Sequence, residues 1–271
     1  MKMQRQEDGG EGMSLLSGPC QGEIARNPAL LLQAIRRVAE AGGELEPREV
    51  DFFQACSKGL AGFPLEELTE EFNRILLSPA VFTALQLMVE TGLLAVLMPE
   101  LVRGQGVHQS FVHPDDVLVH NLRTCSLVKP QLHLRLAGLL HDVGKPDYYV
   151  EDPLVGRRFP KHSRRSAILV PAILGRFAYP PQLVERVRLL VENHMVIWVP
   201  NHGLEPIREL VDRLGAEIAR DLIELVTSDR AAIWGEKVAE TNRALREALA
   251  LVIEGEQGEL PAREGCPFKG E

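Results

Sequence analysis

What most limits the fold of this chain is the recurrence of apolar residues at three- and four-residue intervals, with proline and glycine between the runs. Leu31, Ile35, Val38 and Ala39 share one face of a helix that Asn27 caps, Pro28 begins and Gly42-Gly43 ends. Pro47 opens a second helix that runs to about Ser57, and Pro64 precedes a third with Leu68, Phe72, Ile75 and Leu76 on one side. Ser78-Pro79 starts a fourth, striped by Phe82, Leu85, Val89 and Leu93 and ending near Gly92; Leu93 to Leu97 then lead to Pro99. Residues 102–115 read as a Gly- and His-containing loop. Further helices are expected at about 116–128, 132–143, 163–176, 181–195, 204–213, 216–232 and 234–254. Aromatic residues are only 5% of the chain, while the strong helix formers Leu, Ala, Glu and Arg are plentiful. No segment alternates strongly enough to predict a sheet. The expected class is all-α.

The net charge of -8 argues against a general nucleic-acid coat, which needs a basic surface to neutralise phosphates. Cys20, Cys56, Cys125 and Cys266 lie far apart with no CxxC pair, so a zinc ribbon or disulfide framework is not expected and a reduced cytoplasm is. The N-terminal MKMQRQEDGGEGMSLLSGP has acids and glycines where a signal peptide needs an apolar run, and no uncharged apolar stretch reaches the ~18 residues of a membrane span. Residues 1–22 and 255–271 read as polar, Gly- and Pro-containing tails.

The segment LRLAGLLHDVGKPDYY carries the most chemistry. Leu136, Leu139 and Leu140 anchor a helix in a core, and His141-Asp142 sets an imidazole and a carboxylate side by side at its end, both able to converge on one ion. Gly144 ends the helix and permits a close backbone approach, to a ligand on this reading. Lys145, about one turn after His141, is placed to meet a phosphate. An HD dipeptide alone is weak evidence, and a lone helix histidine is more often structural than ligating. Here, however, His120 stands on the preceding helix, His162 opens the following one, His194 closes the next, and Asp229 lies on another. Arg157, Arg158, Lys161, Arg164 and Arg165 place five cations within nine residues beside His162. They read either as a solvated basic loop or as a phosphate clamp, with the clamp preferred for at least one arginine. His113 borders the expected site; His108, His133 and His202 have no such support.

The order His120, His141-Asp142, His162, His194, Asp229 resembles that of the HD superfamily of metal-dependent phosphohydrolases. The resemblance implies an HD helical bundle over 105–254, with 23–104 as an N-terminal neck-like helical layer. It further implies one divalent ion or, preferred, two, with Asp142 bridging the two, His162 and His194 holding the second, and a bridging water as nucleophile. His141 and Asp142 would generate that nucleophile, while Lys145 with Arg164 or Arg165 would neutralise the phosphate. Imidazole and carboxylate ligands suit manganese, iron, nickel, cobalt or zinc, and spacing does not choose among them.

A longer resemblance runs from about Asn27 to Asp229. FNRILLSPAVFTALQLMVETGLLAVLMPEL, HPDDVLVHNL, LRLAGLLHDVGKP, RRFPKHSRRSA and LVENHM are similar to the HD-bearing part of bacterial tRNA nucleotidyltransferases (CCA-adding enzymes) and related poly(A) polymerases. The departures fall on nucleotidyl transfer. No Gly-Ser turn followed by Asp-x-Asp is present, and the base-reading EDxxR motif of that family is replaced at Arg26, Asn27 and Leu30. The terminal CPFKGE looks like the start of the family's tRNA-holding region. The expected activity is therefore hydrolysis of nucleotide-type phosphate esters such as 2′,3′-cyclic or 2′-nucleotides, with a small phosphate ester as substrate, no membrane, and no addition of nucleotides to tRNA by this chain alone. Two other readings stand behind it: a non-catalytic remnant that binds RNA or a partner protein, and a subunit that works with a separate nucleotidyltransferase head.

Overall fold

The computed structural model describes residues 23, 27–195 and 203–255. The expected tails, Arg26, His202, Cys20 and Cys266 lie outside the described residues. The chain is helical, and in chain order the helices are α1 (Ala29–Glu40), α2 (Pro47–Lys58), α3 (Thr69–Leu77), α4 (Val81–Glu90), α5 (Leu93–Leu97) and α6 (Pro99–Val102). These are followed by α7 (Val117–Leu127), α8 (Leu132–Leu140), α9 (His162–Gly175), α10 (Pro181–Asn193), α11 (Glu205–Leu214), α12 (Ala216–Trp234) and α13 (Ala239–Glu254).

Local sequence accounts for most of the boundaries. Pro47 sits at the first position of α2, where its missing N–H is harmless, and Glu46 and Glu49 cap each other's backbone amides in a capping box. Asp116 caps α7 by accepting from Val119 N at 2.8 Å, and its other oxygen accepts from Gly106 N at 2.7 Å, tying the preceding loop to the helix start. Some expectations shift. Asn27 makes no side-chain cap and α1 begins at Ala29. Leu65–Leu68 and Gly235–Val238 form 3-10 turns ahead of α3 and α13, and Leu93–Leu97 is a short helix rather than a lead-in.

The all-α class holds, with one small addition. A two-stranded antiparallel hairpin, β1 (Val150–Asp152) and β2 (Gly156–Arg158), follows α8, with Ser110 bridging to Gly156. Strands of three residues are too short to show the alternation that identifies a strand from sequence.

The core is a continuous apolar cluster that α8 crosses with every residue from Leu134 to Leu140 buried. Gly138 allows this. A Cβ there would lie 2.9 Å from Cys125 Cα, so α7 and α8 pack backbone against backbone. The N-terminal helices are fastened to the same body. Phe72 stacks on Phe177 at 5.3 Å between centroids, Tyr179 OH donates to Asn73 Oδ1 at 2.5 Å, and Arg176 forks onto Glu100 at 2.7 and 2.8 Å. That fork holds the Glu100 carboxyl below its usual range. No described helix is long and apolar enough to cross a membrane. Cys56 and Cys125 are free thiols.

Candidate metal centre

Five helix ends or faces converge on one point: His120 from α7, His141-Asp142 just after α8, His162 at the start of α9, His194 just after α10, and Asp229 from α12. The doublet follows a helix buried at every residue from Leu134 to Leu140, so both side chains are carried into the interior, where His141 is 0% and Asp142 1% exposed.

The six residues sort around the two oxygens of Asp142. Oδ2 lies 3.3 Å from His141 Nε2 and 3.5 Å from His120 Nε2. His120 Nε2 is in turn 3.0 Å from Asp229 Oδ1 and 3.1 Å from His141 Nε2. Oδ1 lies 3.2 Å from His162 Nε2 and 3.5 Å from His194 Nε2, and those two nitrogens are 3.2 Å apart. Ligand atoms of His120, His141 and Asp229, and again of His141, Asp142 and His194, lie within 4.8 Å of one another.

The chemistry of this donor set fits a cation. Nδ1 of His141, His162 and His194 faces the backbone carbonyl of Gly138, Phe159 and Val191 at 2.9, 2.6 and 2.7 Å. A ring that donates from Nδ1 has a bare lone pair at Nε2 when neutral, which is the state of a metal ligand. In that neutral form His162 and His194 would point two lone pairs at each other beside Asp142 Oδ1, a buried oxygen without a hydrogen bond. Lone pairs converging in that way repel unless something positive sits among them. Around the other oxygen, burial disfavours the charged form of His141, but Asp142 and Asp229 outweigh it and raise its pKa to about 10. Burial would raise the pKa of both carboxyls; Lys145 and His141 hold Asp142, and hydrogen bonds from His120 and His141 hold Asp229, well below the usual range. A divalent ion in place of the His141 proton satisfies the same carboxylates. The HD fold's divalent-metal chemistry thus has residues to receive it.

Above this floor opens a cavity of about 700 Å³ lined by His120, Asp142, Lys145, Arg157, Arg158 and Phe159, among others. Lys145 lines it, is 7% exposed and is held by Asp142 Oδ2 and Gln109 Oε1, each at 2.5 Å. Its ammonium also lies 5.3 Å from the Phe159 ring centroid. Arg164 and Arg165 are not brought to the cavity: both are exposed on the first turn of α9, and Arg165 is engaged by Asp147. Arg157 and Arg158, on the hairpin, line it instead, though each is also paired there, with Glu151 at 2.8 Å and Asp152 at 2.7 Å. Gly144 serves a close approach to α9 rather than to a ligand: a Cβ there would lie 2.6 Å from Ser166 N, and Gly144 N donates to Ser166 Oγ at 2.9 Å.

Among the other histidines, His113 lines the cavity, bonded to Ser110 Oγ at 2.6 Å, and burial with Lys145 nearby lowers its pKa to about 4. His108 borders a smaller neighbouring pocket, and His133 pairs with Asp221 at 3.1 Å. Gln109 and Phe159 escaped the sequence reading. Neither sits in a periodic segment or beside a ligand in the chain, and no pattern marked them.

Comparison with known proteins agrees with this geometry. Residues 123–225 match the HD domain, and residues 44–103 match the "probable RNA and SrmB-binding site of polymerase A". An A-adding tRNA nucleotidyltransferase of Deinococcus radiodurans is 34% identical over 231 residues, 81% of this chain and 52% of that protein. A CC-adding tRNA nucleotidyltransferase of Thermus thermophilus is 36% identical over 206 residues, 74% of this chain and 45% of that one. A multifunctional CCA protein of Pseudomonas fluorescens is 30% identical over 181 residues, 63% and 44% respectively. The chain spans about half the length of the curated relatives it matches. It is an HD-domain protein, homologous to the HD-containing part of the tRNA nucleotidyltransferases.

Proposed function

We propose that this chain is a metal-dependent phosphohydrolase acting in the cytoplasm on nucleotide-type phosphate esters, with 2′,3′-cyclic and 2′-nucleotides as the first substrates to test. The observation that carries the reading is the division of one buried carboxylate, Asp142, between two groups of imidazoles at the floor of a cavity with arginines at its mouth. In this reading His120, His141, Asp142 and Asp229 hold one divalent ion, and Asp142, His162 and His194 a second, with manganese, iron, nickel, cobalt or zinc as candidates. Bound there, such ions polarise a phosphate and make a water acidic enough to attack at neutral pH. His141 and Asp142 keep their donor atoms aimed at the centre by the carbonyl of Gly138 and by burial. Lys145 supplies positive charge next to Asp142, and Arg157 and Arg158 meet the substrate from the mouth, taking the role the sequence suggested for Arg164 and Arg165. Residues 23–104 act as the neck-like layer on which the HD helices rest.

A second reading is favoured by the match of 44–103 to an RNA-binding segment: the chain binds RNA, with or without hydrolysis. The two are separated by a screen of cyclic nucleotides, 2′-nucleotides and short RNA ends against each metal. Metal-dependent release of phosphate or opening of the cyclic ester, abolished together with bound metal in Asp142→Ala, is the expected result. Metal-loaded protein that turns over none of these esters yet binds RNA would replace hydrolysis with the second reading.

A further inference from the structure

Gln109 stands at the cavity wall, unused by the ligand set. It lies in the loop before α7, is 6% exposed, and lines both the main cavity and the smaller pocket of about 300 Å³ beside it. Its Oε1 accepts from Lys145 Nζ at 2.5 Å, which fixes the amide so that Nε2 is its remaining donor. Nε2 is buried and has no acceptor. A buried donor left unsatisfied costs ~1–3 kcal/mol, so its persistence calls for a reason.

Lys145 supplies the context. Its ammonium is 2.5 Å from Asp142 Oδ2, the same oxygen that faces His120 and His141. Lys145 and a cation held by His120, His141 and Asp229 therefore compete for one oxygen. A buried ammonium deprived of its carboxylate is costly to leave without a partner, and the Gln109 carbonyl is already in place to keep it.

We propose that Gln109 is a positioning residue: it holds the Lys145 ammonium at the cavity wall when Asp142 Oδ2 is committed to a cation, and its Nε2–H donates to a phosphate oxygen of the substrate beside that ammonium. The inference rests on the metal-dependent phosphohydrolase reading. The first half concerns metal binding alone, and the second half concerns phosphate.

The test uses the full chain with Gln109→Leu and Gln109→Glu, each in the native and in the Lys145→Met background. Manganese affinity is measured by calorimetry, followed by inorganic phosphate binding to the manganese-loaded protein. Gln109→Leu leaves Lys145 to fall back on Oδ2, so manganese should bind roughly tenfold more weakly, within the range for contacting residues. That loss should vanish once Lys145 is methionine. Gln109→Glu keeps an acceptor for Lys145, so manganese affinity should not fall, while loss of the N–H should weaken phosphate by about tenfold or more. Because it keeps the size of the native side chain and sets its new charge against Lys145, it still tests the proposal if Gln109→Leu does not fold: a fall in its manganese affinity would overturn the Lys145 half. A manganese effect of Gln109→Leu that is equal in both backgrounds would show a packing role and overturn the Lys145 half. Native phosphate affinity in Gln109→Glu would overturn the donor half. If native protein binds manganese but neither binds phosphate nor hydrolyses an ester, the phosphohydrolase reading and the donor half fail together, while the manganese comparison still judges the Lys145 half.

Discussion

Gly144→Ala tests whether the HD turn and the start of α9 are fitted to each other for the sake of the second histidine pair. Gly144 has φ -86° and ψ -9°, a conformation open to alanine, so the backbone itself opposes nothing. Alanine would even gain ~0.4–1 kcal/mol by restricting the unfolded chain. Against that, its Cβ would lie 2.6 Å from Ser166 N and 3.0 Å from both Arg165 C and Cβ. Ordinary contact needs about 3.5 Å, so the first turn of α9 must retreat by roughly 0.9 Å. The obstacle is backbone at the head of a helix, which cannot swing aside as a side-chain tip would. Overpacking of this kind costs ~1–3 kcal/mol, enough to outweigh the entropic gain. His162 is the first residue of α9 and moves with that turn, whereas His120, His141 and Asp229 belong to other elements. The contacts that open are His162 Nε2 to Asp142 Oδ1 and to His194 Nε2, both 3.2 Å. We expect the metal-free protein to melt ~2–6 °C lower, at ~2–4 °C per kcal/mol for a chain near this size. Manganese stoichiometry should fall from two ions toward one. Calorimetric melts and a manganese titration give both numbers. A variant that melts within ~1 °C of native and still binds two ions would refute the argument.

Removing metal from native protein with a chelator should lower the melting temperature, because an ion bound only by the folded state at a hundred times its dissociation constant stabilises it by ~2.7 kcal/mol; an unchanged melt after verified removal would mean that the cluster does not bind the helices together. Arg158→Ala should raise KM for a phosphate ester by about tenfold or more while Arg164→Ala leaves it near native, since losing a charged hydrogen bond at the mouth costs ~1.5–3 kcal/mol and Arg164 does not line the cavity; the reverse order would return the phosphate contact to the first turn of α9.

Helical class and most helix positions could be read without coordinates, because the core-facing stripe and its breakers are both local. Leu31, Ile35 and Val38 are buried as their spacing requires, and Pro47 opens α2 where proline at the first helical position is tolerated. The candidate ligands were legible for a related reason: each stands at a helix end or on a helix face, and their order along the chain is itself the pattern. That order alone does not assign imidazoles to the two oxygens of Asp142; the division was implied by the family resemblance and not by spacing, and it depends on how α7, α9, α10 and α12 pack around α8. Nor could the order tell which cations reach the cavity. Arg157, Arg158, Arg164 and Arg165 are equivalent in composition, but a hairpin too short to announce itself sets the first two along the cavity, and a helix turns the others to solvent. Gln109 shows the limit most plainly. Its place beside Lys145, thirty-six residues away in sequence, comes from loop closure against a packed core. Helical periodicity reports only on neighbours within a turn or two; contacts between elements are settled by volume exclusion and burial across the whole chain.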